Sequence, residues 1–235
     1  MGQKKLIRFA ELKTFGNVFE FPENMPGNWS RFFGNQNPIV LELACGKGEY
    51  ALGLARLHSE KNFIGVDIKG NRIWVGAKKA IQENLGNVAF LRTQIDHIAG
   101  YFGPGEVEEI WITFPDPQLR ISKAKKRLTH PKFLRLYQKF LVPDARIHLK
   151  TDSPDLYAFT KTVIAFTGAR LHADVQDLYA GDTAPELGIR THYESLDISG
   201  SNRVHYLSFS LPVLLPPAED DRRLQETLRK ETLAG

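Results

Sequence analysis

Two short stretches of this sequence hold the side chains that could do chemistry. In the first, FPDPQLRISKAKKRLTH from Phe114, Asp116 stands between Pro115 and Pro117 and is followed by Arg120, Lys123, Lys125, Lys126 and Arg127. Proline on both sides narrows the backbone freedom of the acid, as suits a carboxylate that must meet a ligand at a set angle. From Pro117 to Pro143 there are eight Lys or Arg residues and no Asp or Glu. Such a one-signed run is the footprint of a polyanion binder, and equally of a solvated helix face.

The second stretch is VLELACGKGEYALGLA, from Val40. An apolar run leads into Gly46-Lys47-Gly48, and helix-forming residues follow. The glycines let backbone N–H groups come close to a ligand. Asp67 ends the next apolar run, nineteen positions after Gly48, where an acid holds a pair of ribose hydroxyls. Gly46 to Ala51 also satisfies G-x-G-x-x-A, so a nicotinamide dinucleotide is one reading. Glu42 points to another. A carboxylate inside a buried strand is costly without a partner; it repels a pyrophosphate and attracts an ammonium or sulfonium. S-adenosylmethionine carries those cations and a ribose, so the pair Glu42 and Asp67 favours it. Gln94 or Asp96, after the third strand, is expected to read the adenine edge; the competing reading is a helix cap before Ile98.

The elements that must position these residues follow from periodicity. After Pro38, apolar runs at Ile39–Leu43, Phe63–Val66, Val88–Leu91, Ile110–Phe114 and Arg146–Lys150 alternate with helical patterns near Glu49–Leu57, Arg72–Asn84, Ile95–Phe102, Lys132–Phe140 and Leu156–Phe166. Repeated strand–helix units predict a mostly parallel sheet covered on both faces. Leu171–Leu178 and His205–Leu211 read as two last strands with no helix between them, which predicts an antiparallel strand at one edge. The expectation is an α/β, doubly wound, seven-stranded sheet: an arm over residues 1–37, the domain over 38–215, and a weakly held tail over 216–235. The polar, Gly-rich segment Tyr179–Arg203 is expected to be a mobile lid.

Composition excludes several classes. No apolar run approaches the roughly 20 residues that span a bilayer, and no apolar h-region follows the first residues, so neither a membrane nor a secretory signal is expected. The single cysteine, Cys45, argues against an intrachain disulfide framework and a cysteine-rich metal site, and fits a reducing, cytoplasmic compartment. Cys45, His130 and His148 are read as structural. Net charge is only +4, so the basic cluster matters more than the total. Monomer and homodimer both stay open.

Taken in order, ELACGKGEY, IGVDIKGNRI, ITFPDPQLRISKAKKRL, FLRLYQKFL, IHLKTD and IRTHYE resemble the bacterial tRNA (guanine-N7-)-methyltransferase family from about Asn37 to Leu211. The resemblance implies a class I, Rossmann-like methyltransferase fold, S-adenosylmethionine as donor, and guanine 46 in the variable loop of tRNA as target. Matched positions imply Glu42, Asp67, Gln94 and Asp116 at the donor, beside Gly46, Gly48 and Asp96 from the reading above, with Asp116 also the catalytic acid. They imply Arg120, Asp152 and the stretch Thr191 to Glu194, with Tyr193, at the RNA; the cations Arg120, Lys123, Lys125, Lys126 and Arg127 are expected on its phosphates from their charge. Members commonly have Asp-Pro-Trp where this chain has Asp-Pro-Gln, a lysine where it has Arg120, and Asn or Asp where it has Gln94. A nicotinamide oxidoreductase and a non-catalytic RNA-binding protein are the competing readings.

Overall fold

Every residue of Ile39–Leu43 is buried, the signature of a strand covered on both faces. In the computed structural model, which describes residues 2–196 and 199–234, this strand is the middle of an eight-stranded sheet. The strands are β1 (Val18–Glu20), β2 (Ile39–Leu43), β3 (Asn62–Asp67), β4 (Val88–Arg92), β5 (Val107–Thr113), β6 (Leu141–Thr151), β7 (Arg170–Val175) and β8 (His205–Ser210), in the spatial order β1-β4-β3-β2-β5-β6-β8-β7. Helices α1 (Gly2–Leu12), α2 (Trp29–Phe33), α3 (Glu49–Leu57), α4 (Gly70–Gln82), α5 (Pro131–Tyr137), α6 (Pro154–Thr167) and α7 (Asp221–Ala234) cover it. Strand alternation divides the core. Leu41, Ile64, Ile110 and Ile147 face one layer with α5, α6 and α7, while Val40, Phe63, Trp111 and Tyr206 face the other with α3 and α4.

The doubly wound architecture is the expected one, with two refinements. The extra strand is β1, which pairs parallel to β4 from Val18↔Phe90 to Glu20↔Arg92. Three residues are too few to show a period in sequence. The reversed strand is β8, which runs antiparallel to both β6 and β7; it is inserted one place in, and β7 forms the outer edge. The tail corrects its expectation. Helix α7 buries Leu224 and Leu228, and Asp221 pairs with Arg135 at 2.7 Å. At the other end, α1 docks on α4, where Glu11 accepts from Trp74 Nε1 at 2.9 Å and from Lys78 at 2.8 Å.

Strands β3 and β5 leave β2 in opposite directions across the sheet. That reversal opens a crevice beyond the carboxyl ends of the strands, where ligands of open α/β sheets bind.

Candidate active site

The glycine loop is the floor of that crevice. Ala44, Gly46 and Gly48 all have positive φ, at 57°, 56° and 67°. Gly48 begins α3, and a Cβ there would lie 2.3 Å from the Phe90 ring, so the loop can sit down on the sheet only with glycine at this point. Asp67 closes the turn: Oδ2 accepts from the Gly46 N–H at 2.9 Å and Oδ1 from the Lys69 N–H at 2.8 Å.

Glu42 lies beneath the loop. Its Oε2 accepts from the Ala51 N–H at 2.8 Å, in the first turn of α3, and its Oε1 accepts from the Thr113 hydroxyl at 3.1 Å. It is on the wall of neither cavity of the crevice. Burial, only partly offset by those two hydrogen bonds, raises its pKa to about 8. A carboxyl whose charge burial disfavours and which is committed to a helix N-terminus braces the loop. This placement departs from the expected one, in which Glu42 faces a cation. The Cys45 thiol is buried, as expected of a small core residue, and burial pushes its pKa up.

The crevice has two cavities that share Ala44 and Asp67 in their walls. One, of about 650 Å³, is lined by Asp67, Lys69, Arg72, Phe114, Asp116, Asp152 and Tyr193 among others. The other, of about 410 Å³, has Gln94, Asp96, Lys125, Lys126 and Phe133 on its wall. Both volumes suit a cofactor-sized ligand. Asp116 is exposed at the end of β5, with Oδ1 taking the Gln118 N–H at 3.0 Å and Oδ2 turned to no protein donor among the described residues. The preceding Phe114 has φ 46° and the following Gln118 φ 48°. Positive φ at two non-glycine residues is strain that the surroundings must hold.

The structure therefore brings Asp67, Gln94, Asp96, Asp116, Lys125, Lys126, Asp152 and Tyr193 to one crevice. Ser153 caps α6, which leaves the Asp152 carboxylate at the wall with one contact among the described residues, the Ser199 N–H at 3.1 Å. Asp96 is not a cap; it pairs with Lys132. Arg120 and Lys123 are exposed on the turn Ile121–Lys126 and just before it, off both cavity walls. Three other residues depart from expectation. Arg127 is buried, donates to the carbonyls of Pro117, Gln118 and Leu119 at 3.0–3.3 Å, and lies 4.4 Å from the Phe159 ring centre. It clamps the loop of Asp116 and is closed to phosphate. Thr191 is buried and accepts from the Glu194 N–H at 3.2 Å. Glu194 is buried in a pair with Lys150 at 3.1 Å. These last two are internal struts of the segment between β7 and β8, so its 187–194 part is fastened to the sheet and the mobile lid is not what the fold provides.

Sequence reasoning passed over Lys69, Arg72 and Lys150. For Lys150 a signal existed: a charge inside an apolar strand, the same signal that Glu42 gives. Lys69 and Arg72 become wall residues only because α4 begins at the crevice mouth. His130 and His148 are structural, as expected. His130 caps α5 by accepting from the Lys132 N–H at 3.1 Å, and His148 stacks on Trp111 at 4.0 Å. Among the described residues no cluster of His, Cys, Asp and Glu could hold a metal ion, and no helix is long and apolar enough to cross a membrane.

Residues 36–205 match a family model described as "Putative methyltransferase". A tRNA (guanine-N(7)-)-methyltransferase of Bacteroides thetaiotaomicron is 46% identical over 222 residues, 90% of this chain and 87% of its own. One of Porphyromonas gingivalis is 48% identical over 213 residues, 85% and 86% of the two chains. Among solved structures, the 16S rRNA methyltransferase KamB superposes with a TM-score of 0.59 at 16% identity, covering 81% of this chain and 96% of that one. At that identity the likeness speaks for the fold.

Proposed function

Because the chain belongs to the tRNA (guanine-N7-)-methyltransferase family, we propose that it transfers a methyl group from S-adenosylmethionine to N7 of guanine 46 in the variable loop of tRNA. The observation that carries this reading is that Asp67 and Asp116, from the strand ends on either side of β2, line one cavity over the glycine loop. The nicotinamide reading falls with the family assignment.

The residues fit the donor. Asp67 spends one lone pair of each oxygen on the loop, and a carboxylate has about four acceptor sites, so it keeps capacity for two ribose hydroxyls. Gln94 and Asp96 stand on the adjoining wall for the adenine edge. When bound, S-adenosylmethionine supplies an electrophilic methyl on a sulfonium. Guanine N7 bears an in-plane lone pair and no proton, so no strong base is needed. The chain's contribution is alignment and stabilisation of the charge that develops on the purine. Asp116 suits both. Its free oxygen can take the N1 and N2 hydrogens of guanine, and its negative charge opposes the positive charge gained by the ring. Asp152 and Tyr193 face the same space. Lys125 and Lys126, with Arg120 and Lys123 beside them, are placed to hold phosphates, which positions RNA without reading its sequence.

The test is methyl transfer from labelled donor to unmodified tRNA, with the modified nucleotide mapped. Label at N7 of guanine 46 supports the reading; label elsewhere or none overturns it. Asp116→Ala should abolish turnover and spare affinity for S-adenosylhomocysteine more than Asp67→Ala does. Equal loss of affinity in both would remove Asp116 from its assigned role.

A further inference from the structure

Lys150, the last residue but one of β6, carries an ammonium that is wholly buried. Its three N–H donors are all used: Nζ lies 2.9 Å from the Leu187 carbonyl, 2.8 Å from the Ile189 carbonyl and 3.1 Å from Glu194 Oε2. The rings of Tyr50, Phe114 and Tyr179 surround it, with centres at 5.5, 5.7 and 5.4 Å. The second Glu194 oxygen accepts from the Tyr179 hydroxyl and from Arg190 at 2.7 Å, and the Arg190 guanidinium lies 3.6 Å from the Tyr179 ring centre. Next to this knot, the His192 N–H donates to Glu49 at 2.9 Å. Tyr193 is thus flanked on both sides by anchored residues. Its ring reaches the crevice wall beside Gly46 and under Arg72, whose guanidinium is 5.2 Å from the ring centre.

Apart from single turns, the described residues between β7 and β8 form no helix or strand to hold the segment's shape. Two of its carbonyls turn inward to the ammonium, and an inward carbonyl without a donor destabilises the fold. One ammonium answers both and neutralises Glu194 as well. Ordering 187–194 in this way also orders Tyr193, on the wall that Asp116 shares. An aromatic ring so placed can stack a purine.

We propose that Lys150 is a positioning residue for methyl transfer: by tying three points of the 187–194 segment to the end of β6, it presets Tyr193 as the ring on which the target purine stacks. The inference rests on the reading of the crevice given above.

A double-mutant cycle tests it. Tyr193→Ala should lower kcat/KM for tRNA about 10–100-fold, the worth of one lost base-stacking contact. Lys150→Met should give a loss of similar size, leave S-adenosylhomocysteine affinity within about threefold, and speed amide exchange in 187–194 but not in β2 or β5. The double variant should be no worse than the poorer single one, because both remove the same contact. Glu194→Gln, a milder cut in the same knot, should repeat the pattern at smaller size, and it decides the matter if Lys150→Met does not fold. Additive losses, or homocysteine affinity falling in step with kcat/KM, would overturn the proposal and leave the methyl-transfer reading standing. A wild-type protein that methylates no tRNA would overturn that reading itself.

Discussion

Replacing Glu42 by Gln separates a brace from a charged ligand. The carboxyl is buried, and its pKa is raised from 4.5 to about 8, chiefly by burial. Between those values the folded chain keeps a proton that the unfolded chain releases, so stability falls as pH rises through the interval. At about 1.4 kcal/mol per pH unit, the interval amounts to about 5 kcal/mol. Glutamine keeps the shape: its carbonyl can accept from the Ala51 N–H and its amide can donate to the Thr113 hydroxyl, at the places the carboxyl now fills. Glu42→Gln and wild type should therefore unfold at similar temperatures near pH 4.5. By pH 8 the variant should be higher by about 10–20 °C, given about 2–4 °C per kcal/mol for a chain of this size. Thermal unfolding monitored by circular dichroism at half-unit pH steps reads the gap. A gap that does not widen with pH would mean Glu42 is ionised throughout and the argument from burial is wrong. Donor affinity supplies the second reading. S-adenosylmethionine is cationic at sulfur and S-adenosylhomocysteine is not, so a brace predicts that the ratio of their dissociation constants is unchanged in Glu42→Gln. A tenfold loss confined to the sulfonium compound would restore the carboxylate as a donor ligand.

Three further outcomes are expected. Lys125→Ala with Lys126→Ala should weaken tRNA binding and reduce the slope of log affinity against log salt by about 1.5, since each lost phosphate contact removes about 0.7–0.9; filter binding across a salt series reads it, and an unchanged slope would take these lysines off the RNA. Arg127→Ala should leave that slope alone while lowering unfolding free energy by about 1–3 kcal/mol, because three part-buried carbonyls lose their donor; urea denaturation and the same salt series measure the two effects. Gly48→Ala should cost at least about 2 kcal/mol, through its φ of 67° and a Cβ 2.3 Å from Phe90, with weaker donor binding seen by calorimetry.

The alternation of apolar runs and helical patterns was enough for the doubly wound sheet, because period 2 and period 3.6 are local properties of the chain. Sequence also led to the glycine loop, Asp67 and Asp116, since each sits where a strand ends, and strand ends are legible. What it could not supply was direction. Glu42 and Arg127 carry the right charges at the right places in the chain, yet one faces a helix N-terminus and the other a cluster of carbonyls. β1 and the slot of β8 are decided by pairing between residues far apart in the chain, which no local period encodes. The segment between β7 and β8 shows this most plainly. Its polar, Gly-rich composition predicts mobility, and the buried ammonium of Lys150, arriving from a strand some 40 residues earlier, is what holds it. A residue type sets which bonds can form; only the folded neighbourhood decides whether the partner is solvent, a ligand or the chain itself.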